Sequence, residues 1–481
     1  MIAGRYHRAA LLAGIALIAA PATADDLREA LIMAYTTNPA LQGARAQQRA
    51  VDEGVPIARS AALPSLSGTA SYNEFLKKST NSFTSPDRLV SADATLSLPI
   101  YSGGAVKNSL RAAKTRVAAG QADLRAAESG VFSQVVVAYM DVLLNQAVVG
   151  LNRTNIERLD VNLRATKDRF EIGDLTRTDV AQSQSRLALA RSDARTSEAN
   201  LIAARERYIQ IVGKAPTGLQ SPPPLTGLPS STDEAVEYGL DHNPDLIAAH
   251  QRSKAAGFDS NAAGAGRLPR VSVFTGANYT DYFGTLGGSS SAVFAQSQTT
   301  AQAGVRATIP LFQGGLPAAQ QRRAQAFEGA ALEQEIGIER EVIATVRSAY
   351  ASWQASSDVI ASSQSAVDAA ALSLEGVRAE NTVGNRTILN ILDAEQELLR
   401  AEVQLVTARR NAYVAGFNLL AAMGKAEAQD LGLDGGVLYD PDTNYNRVKN
   451  AIWDWSHDPD PKPASTRTVD TAAQDGSIPP Q

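Results

Sequence analysis

The sequence predicts a mostly α-helical protein with a small β part, in which one structural plan occurs twice. Two observations support this prediction. Landmarks of the first half return in the second half: Asn38-Pro39 matches Asn243-Pro244 and Leu63-Pro64 matches Leu268-Pro269 at one spacing. Later landmarks such as Gly173 and Gly384 match at a spacing six residues longer, so the second copy gains six residues between its strands. Segments with apolar and polar residues in alternation also stand beside long stretches whose apolar residues are spaced by three and four. Alternation is typical of strands and three-four spacing of helices, so each copy combines both.

The N-terminal residues 1–24 have the composition of an export signal. Basic Arg5 and Arg8 precede a short apolar run, and the small residues Ala22 and Ala24 close the segment. This order predicts a cleaved signal peptide, because the run is too short to span a bilayer. No later window approaches about 20 continuous apolar residues, so we expect no transmembrane helix. The chain of 481 residues has no cysteine, which excludes disulfides and a lipid-bearing cysteine after the signal.

Each copy is predicted to contain two strands joined by a polar loop. In the clearest case, from Val90 to Ile100, every second residue is apolar, and the polar residues Ser91, Asp93, Thr95 and Ser97 alternate with them. Such a strand has one apolar and one polar face. The predicted strands cover residues 66–76 and 90–100 in the first copy and 271–283 and 300–310 in the second.

A repeated motif marks the joint between the second strand of each copy and the following helix. It reads "LPIYSGG" in the first copy and "IPLFQGG" in the second. Proline cannot donate to a sheet ladder and is disfavoured inside helices, whereas paired glycines adopt backbone angles that other residues avoid. The predicted strand-helix joints are therefore Pro99, Gly103, Gly104, Pro310, Gly314 and Gly315.

Long helices account for most of each copy. The stretch from Gly104 to Phe170 contains no proline and, as a helix, would reach about 100 Å at 1.5 Å per residue. Glycine turns then separate it from a second long helix. The predicted divisions are a first repeat at 25–212, a proline-rich connector at 213–231, a second repeat at 232–424, a C-terminal segment at 425–457 and a disordered tail at 458–481.

No catalytic, cofactor or metal site is predicted. After the signal, the histidines are His242, His250 and His457, too scattered for a metal site. Phosphate-binding and dinucleotide-binding glycine motifs and a nucleophile elbow are absent from the sequence. The net charge of −5 gives no basic excess for nucleic acid. We therefore expect a non-enzymatic protein without cofactors.

The alternating strands fit two environments. An ordinary half-buried sheet shows the same pattern as a transmembrane β-barrel. Four strands cannot close a barrel, and open sheet edges are not tolerated in lipid. If the strands lie in a membrane, several chains must therefore share one barrel, and the long helices must extend away from the membrane.

Several motifs resemble the TolC family of outer-membrane efflux channels. They are "TNPAL", "HNPDL", the two joint motifs, "VGNRTILNILDAEQEL" and the ending "YDPDTNYNRVKNAIWDW", which is similar to the branch without a lipid anchor. The resemblance spans residues 25 to about 455. It implies a homotrimer in which each chain gives four strands to a shared twelve-stranded transmembrane β-barrel and its long helices to a periplasmic α-barrel. The segment 425–457 would pack on that α-barrel.

The same resemblance implies a passive exit duct in the outer membrane for drugs or proteins. Its partners would be a periplasmic adaptor, an inner-membrane transporter of the RND or ABC class and outer-membrane lipid. The alternative is a periplasmic coiled-coil adaptor or scaffold, against which the duplication and the alternating strands argue.

Gate residues are carried over by position from the family. Asp179 and Arg386 would form a link between neighbouring helix pairs, and Asn381 stands where a gate tyrosine is common. Asp393 would line the pore constriction, whereas Asn390 replaces a second acidic ring and predicts weaker cation block and a looser gate.

The turns at Gly173 and Gly384 would contact the adaptor. Glu395 and Glu397 have no counterpart among the family's gate residues. We interpret both as charges on a solvated helix face.

Overall fold

The computed structural model describes residues 26–78, 84–433 and 438–478; the predicted signal peptide lies outside them. Helices and a small antiparallel sheet make up the described parts of the chain. In order, the elements are α1 Leu27–Thr37, α2 Pro39–Asp52, α3 Gly54–Ser60, β1 Ser65–Glu74, β2 Arg88–Tyr101, α4 Ala105–Glu171, α5 Arg177–Val212, α6 Thr232–His242, α7 Pro244–Gly264, β3 Arg270–Asp281, β4 Ser297–Thr308, α8 Leu316–Thr382, α9 Ile388–Met423 and α10 Pro441–Val448.

The two copies have helices of equal length. Helices α4 and α8 have 67 residues each, and α5 and α9 have 36 residues each. The offset between Ala105 and Leu316, where α4 and α8 begin, equals the offset between Arg177 and Ile388, where α5 and α9 begin. Both offsets are 211 residues, so one spacing holds through both hairpins, six residues longer than that of the Asn-Pro and Leu-Pro landmarks. At 1.5 Å per residue, α4 and α8 are each about 100 Å long.

The four strands form one antiparallel sheet in the order β1-β2-β3-β4. Their ends differ from the predicted bounds by only a few residues. The β2–β3 pairing joins the two copies, with Leu96 opposite Thr275 and Leu98 opposite Val273. Because β1 and β4 are the outer strands, each leaves one edge open.

The strand-helix joints rely on glycine at left-handed angles. Gly104 and Gly315 precede α4 and α8 with φ of 88° and 82°. The prolines differ between copies: Pro99 lies inside β2, where the pairing register with β3 shifts, whereas β4 ends before Pro310. A proline at such an irregularity is tolerated because it need not donate to the ladder.

The largest hydrophobic core surrounds the middle of α4. Phe132 stacks on Tyr35 of α1, with ring centroids 6.1 Å apart, and Tyr139 packs against Tyr208 of α5 at 6.4 Å. The connector 213–231 covers this region, where the Tyr139 hydroxyl donates to the Gln220 carbonyl over 2.7 Å. By length and composition alone, α4 is the one described helix able to cross a membrane. Its middle contributes Phe132, Val135 and Tyr139 to the buried core.

Residues after α9 are attached to the first copy. A carboxylate oxygen of Glu128 in α4 accepts a hydrogen bond from the Ala428 N–H over 2.8 Å, and the Tyr35 hydroxyl accepts one from the Tyr439 N–H over 2.8 Å. The C-terminal segment is therefore held by partly buried polar contacts as well as by α10.

The tail has no helix or strand from residue 458 through residue 478, and its end lies along α5. Arg205 donates to the carbonyls of Asp475 and Ser477 over 2.6 and 2.8 Å, and Arg153 donates to Gly476 over 3.1 Å. Composition cannot show that distant arginines supply these hydrogen-bond donors.

Alanine in place of Gly103 should destabilise the protein more than alanine in place of Gly227 in the connector. Both glycines have left-handed φ, 65° and 80°, so each substitution forces about 1–2 kcal/mol of left-handed strain. Only at Gly103 would a Cβ also lie 2.7 Å from the Leu268 Cβ, an overpacking that adds about 1–3 kcal/mol. The test is the thermal midpoint of both variants in detergent. Equal midpoints would contradict the proposed clash.

Glu128 should make stability depend on pH. Burial, and then the nearby charge of Glu427, raise its pKa to about 7, although the Ala428 N–H opposes this. Because the folded pKa exceeds the unfolded value, stability should fall as pH rises from about 4.5 to 7 and then level off. Glu128→Gln keeps an acceptor for Ala428 and should remove this fall in the thermal midpoint. A variant with the parent's pH profile would contradict the assignment.

Candidate functional site at the helix tips

The two helical hairpins end in turns of the same design. Gly173 follows α4 and Gly384 follows α8, both with φ of 84°. Their N–H groups donate to the carbonyls of Phe170 and Asn381, over 3.0 and 3.1 Å. Since only glycine adopts these angles without strain, the turns require it at both positions.

The helices that leave the turns start with matching side-chain caps. Asp179 accepts hydrogen bonds from the Thr176 N–H and hydroxyl over 2.9 and 2.7 Å. Asn390, at the equivalent position of the second hairpin, accepts the same pair from Thr387 over 3.1 and 2.9 Å. The bonds from Thr176 hold the pKa of Asp179 below its usual value. One hairpin thus has a charged cap and the other a neutral one.

One ion pair spans each turn. In the first hairpin the helix before the turn supplies the positive residue, and in the second hairpin it supplies the negative one. Arg169 binds Asp174 over 2.7 Å, and Arg386 binds Glu380 over 2.6 Å. Arg169 and Glu380 occupy equivalent positions in the two copies. Asn381 connects the tips, because its side chain accepts from Arg169 over 3.3 Å and donates to the Arg386 carbonyl over 2.6 Å.

Within one chain, the structure does not bring Asp179 and Arg386 together. The partner of Asp179 is Thr176, and that of Arg386 is Glu380. Asp393 pairs with Arg186 of α5 over 2.5 Å, although both side chains stay partly exposed. Within one chain, Arg186 therefore already neutralises Asp393, the predicted pore carboxylate.

The interpretation of Glu395 as a charge on a solvated helix face is wrong. Its side chain is 1% exposed rather than solvated, and both carboxylate oxygens accept from the Asn162 amide over 2.7 and 2.8 Å. Arg378 of α8 donates to the same carboxylate over 2.8 Å. Glu395 thus ties α9 to both α4 and α8.

The spacing of Glu395 could have revealed its burial. It stands four residues after Ile391 and three before Leu398, on the apolar seam of α9. The second of the pair, Glu397, is 69% exposed and contacts Arg400 at 3.6 Å, as expected for a face charge.

The chemistry of the tips is electrostatic. Within the described residues, no cluster of His, Asp or Glu has the geometry to hold a metal ion. The exposed ion pairs are worth only about 0–1 kcal/mol each. Such an arrangement can hold helices together weakly and release them.

Long paired helices that project from a small open sheet define the subunit of an outer-membrane channel. The sequence model of the outer membrane efflux protein family matches residues 31–214 and 237–425, one match for each copy. The chain belongs to this family.

Named relatives and a solved structure agree. The outer membrane efflux protein BepC of Brucella suis is 31% identical, covering 92% of this chain and 94% of BepC. TolC of Escherichia coli K12 is 27% identical, covering 92% and 93%. The crystal structure of VceC from Vibrio cholerae superposes with a TM-score of 0.71 at 21% identity, covering 83% of this chain and 96% of VceC.

The protein is therefore an outer-membrane exit duct of an efflux or type I secretion system, with its helices in the periplasm. It works with an adaptor and an inner-membrane transporter. The predicted resemblance, fold class and location are confirmed, and the alternative of a periplasmic adaptor does not hold.

Removal of the Glu395 carboxylate should weaken the packing between helices. Glu395→Ala leaves Arg378 and Asn162 without their acceptor and should cost about 2–4 kcal/mol. The matched control, Glu397→Ala, removes an exposed charge and should cost less than about 0.5 kcal/mol. Denaturant midpoints of the purified variants measure the difference. Similar midpoints would contradict the role assigned to Glu395.

Proposed function

We propose that three copies of the chain share one twelve-stranded β-barrel in outer-membrane lipid. The observation that supports this most is the pair of open edges on β1 and β4, which lipid does not tolerate. Large apolar side chains on these edge strands are exposed, such as Leu66 at 73% and Val305 at 69%. Identical neighbours would pair with both edges and close the sheet.

The helices support the same assembly. In α8 the buried residues are only Val342, Val346, Ser363 and Leu374, whereas α4 buries apolar residues along most of its length. Apolar side chains of α8 remain exposed, among them Phe327, Leu332 and Ile336. Neighbouring chains would cover this helix and complete a periplasmic α-barrel that continues the pore.

The helix tips would form the gate of this tube. Asp179 and Arg386 of neighbouring helix pairs would form a link in each of three copies, which needs Arg386 to leave Glu380. Three exposed pairs bias a closed state without locking it. Three Asp393 carboxylates, once released from Arg186, would favour cations at the constriction. Neutral Asn390 and Asn381 would make the closure looser.

The turns at Gly173 and Gly384 would meet the periplasmic adaptor. They are exposed at the ends of the hairpins, and alignment with an adaptor there could open the tips. The inner-membrane transporter, of the RND or ABC class, would supply the energy, while the duct conducts drugs or secreted proteins passively.

Single-channel recording in planar bilayers tests the gate. Arg386→Ala and Asp179→Asn, which keeps the helix cap, should each raise conductance by about twofold or more, because three weak links are lost. Glu380→Ala removes the partner of Arg386 within the same hairpin and should not raise conductance. Arg400→Ala, an exposed charge on α9, serves as the control.

Unchanged conductance in both Arg386→Ala and Asp179→Asn would contradict the proposed link between helix pairs.

Membrane retention is tested separately. Carbonate-washed outer membranes should keep the chain, and only detergent should release it.

A further inference from the structure

The loop between α10 and the tail, residues 451–457, exposes large apolar side chains. Ile452, Trp453 and Trp455 are 71%, 72% and 82% exposed in the single chain. Two of the three tryptophans of the protein therefore stand in one exposed loop. A cluster of exposed apolar side chains of this size marks an interaction surface, because scattered single residues are normal and such clusters are not.

The two ends of this loop are tied together. Arg447 donates to both carboxylate oxygens of Asp458, over 2.8 and 3.0 Å. The hydrogen bonds from Arg447 hold the pKa of Asp458 below its usual value, so the pair stays ionised near neutral pH. Within the loop, the Ser456 N–H donates to the Trp453 carbonyl over 3.1 Å and forms a turn that contains Trp455. The two tryptophans thus project from a closed loop with a defined turn.

Helix α10 leads the chain along α4 toward the sheet. Asp442, near the start of α10, accepts from the Gln121 amide over 2.8 Å. Gln121 is about 24 Å along α4 from the first residue of that helix. Tyr445 then packs against the cluster around Ala113, about 12 Å along α4. Because β2 ends shortly before α4 begins, the chain approaches the sheet over this path.

The loop starts where α3 ends, close to the base of the sheet. Arg59 of α3 donates to the Lys449 carbonyl over 3.2 Å and to the Asn450 side chain over 2.7 Å. Strand β1 begins only a few residues after Arg59. The strand-helix joints at the same end of the sheet already expose aromatic side chains, Tyr101 in the first copy and Phe312 in the second. The tryptophans therefore extend a zone of exposed aromatic residues at this end.

After the loop, the chain turns back and leaves the sheet. Thr466 lies against Gly213 at the end of α5, beside Thr37 of α1. Near Thr37, Tyr35 stacks on Phe132, which is about 40 Å along α4 from its first residue. The path from α10 to the tail is thus an excursion to the sheet and back, and the exposed tryptophans stand at its far end.

We propose that the loop 451–457 inserts Trp453 and Trp455 into the phospholipid headgroup layer on the periplasmic face of the outer membrane. This aromatic anchor rests on the membrane position proposed for the strands and adds a lipid contact outside the barrel. Tryptophan favours the headgroup layer because its ring is apolar while its N–H reaches a polar partner. Arg267 and Arg270, exposed at the same end of the sheet, can bind lipid phosphates.

Quenching by brominated lipid tests the aromatic anchor. The reporter is Trp353→Phe, which keeps Trp453 and Trp455 as the tryptophans of the full chain. It is reconstituted into phosphatidylcholine vesicles with plain or with brominated acyl chains. Its tryptophan fluorescence should be lower by about half or more in the brominated vesicles, because bromine quenches indole rings that lie at the membrane interface.

Two controls separate position from exposure. Trp453→Phe with Trp455→Phe keeps Trp353, which is about 55 Å along α8 from its first residue. Val469→Trp, in a chain whose three native tryptophans are replaced by phenylalanine, places a ring at an equally exposed position of the tail beyond Thr466. Each control should lose less than about a tenth of its fluorescence in the brominated vesicles, because neither ring is near the bilayer.

Flotation of the same vesicles separates the aromatic anchor from the barrel. A parent chain that does not float with the vesicles overturns both. A reporter that floats but fluoresces equally in the two kinds of vesicle overturns the anchor and leaves the barrel standing, whether acrylamide then finds the rings open to water or covered by a neighbouring subunit. Quenching of the Val469→Trp control to the same extent as the reporter also overturns the anchor. Strong quenching of the reporter alone supports it.

Discussion

The requirement that every backbone N–H and C=O find a partner in lipid governs this molecule. A sheet of four strands satisfies three ladders and leaves two rows of groups open at β1 and β4. No side chain of the same chain can close them along the whole length of a strand. The sheet of one chain is accordingly incomplete as a membrane-spanning structure. Helix α8, far from the sheet, likewise leaves most of its side chains exposed in one chain.

Contacts between the long helices are extensive and buried near the middle of α4, and they are exposed and weak near the turns. The middle of α4 is anchored in a core of aromatic rings, and the buried carboxylate of Glu395 ties α9 to α4 and α8. Beyond Glu395, toward the turns, the pairs are exposed and individually weak, such as Arg386 with Glu380. Motion at the tips therefore need not disturb the body of the hairpins.

Much of the fold could be predicted from the sequence because repetition and periodicity are local signals. The alternation of Val90–Ile100 and the glycine pairs located strands and joints to within a few residues. Long-range polar contacts could not be predicted. The place of Glu395 on the apolar seam of α9 indicates burial, but its partner Asn162 is distant in sequence and gives no local signal. The contact of Arg205 with the Asp475 carbonyl in the tail is likewise remote in sequence.

The equal helix lengths of the two copies have a consequence for how such a chain can change. Every residue added to a helix moves its end by about 1.5 Å and turns it by about 100°. A deletion in the α4–α5 hairpin alone would leave a staggered mouth, with alternate tips short and facing the wrong way. The length of the helical part should therefore change only when both hairpins gain or lose the same number of residues, close to a multiple of seven.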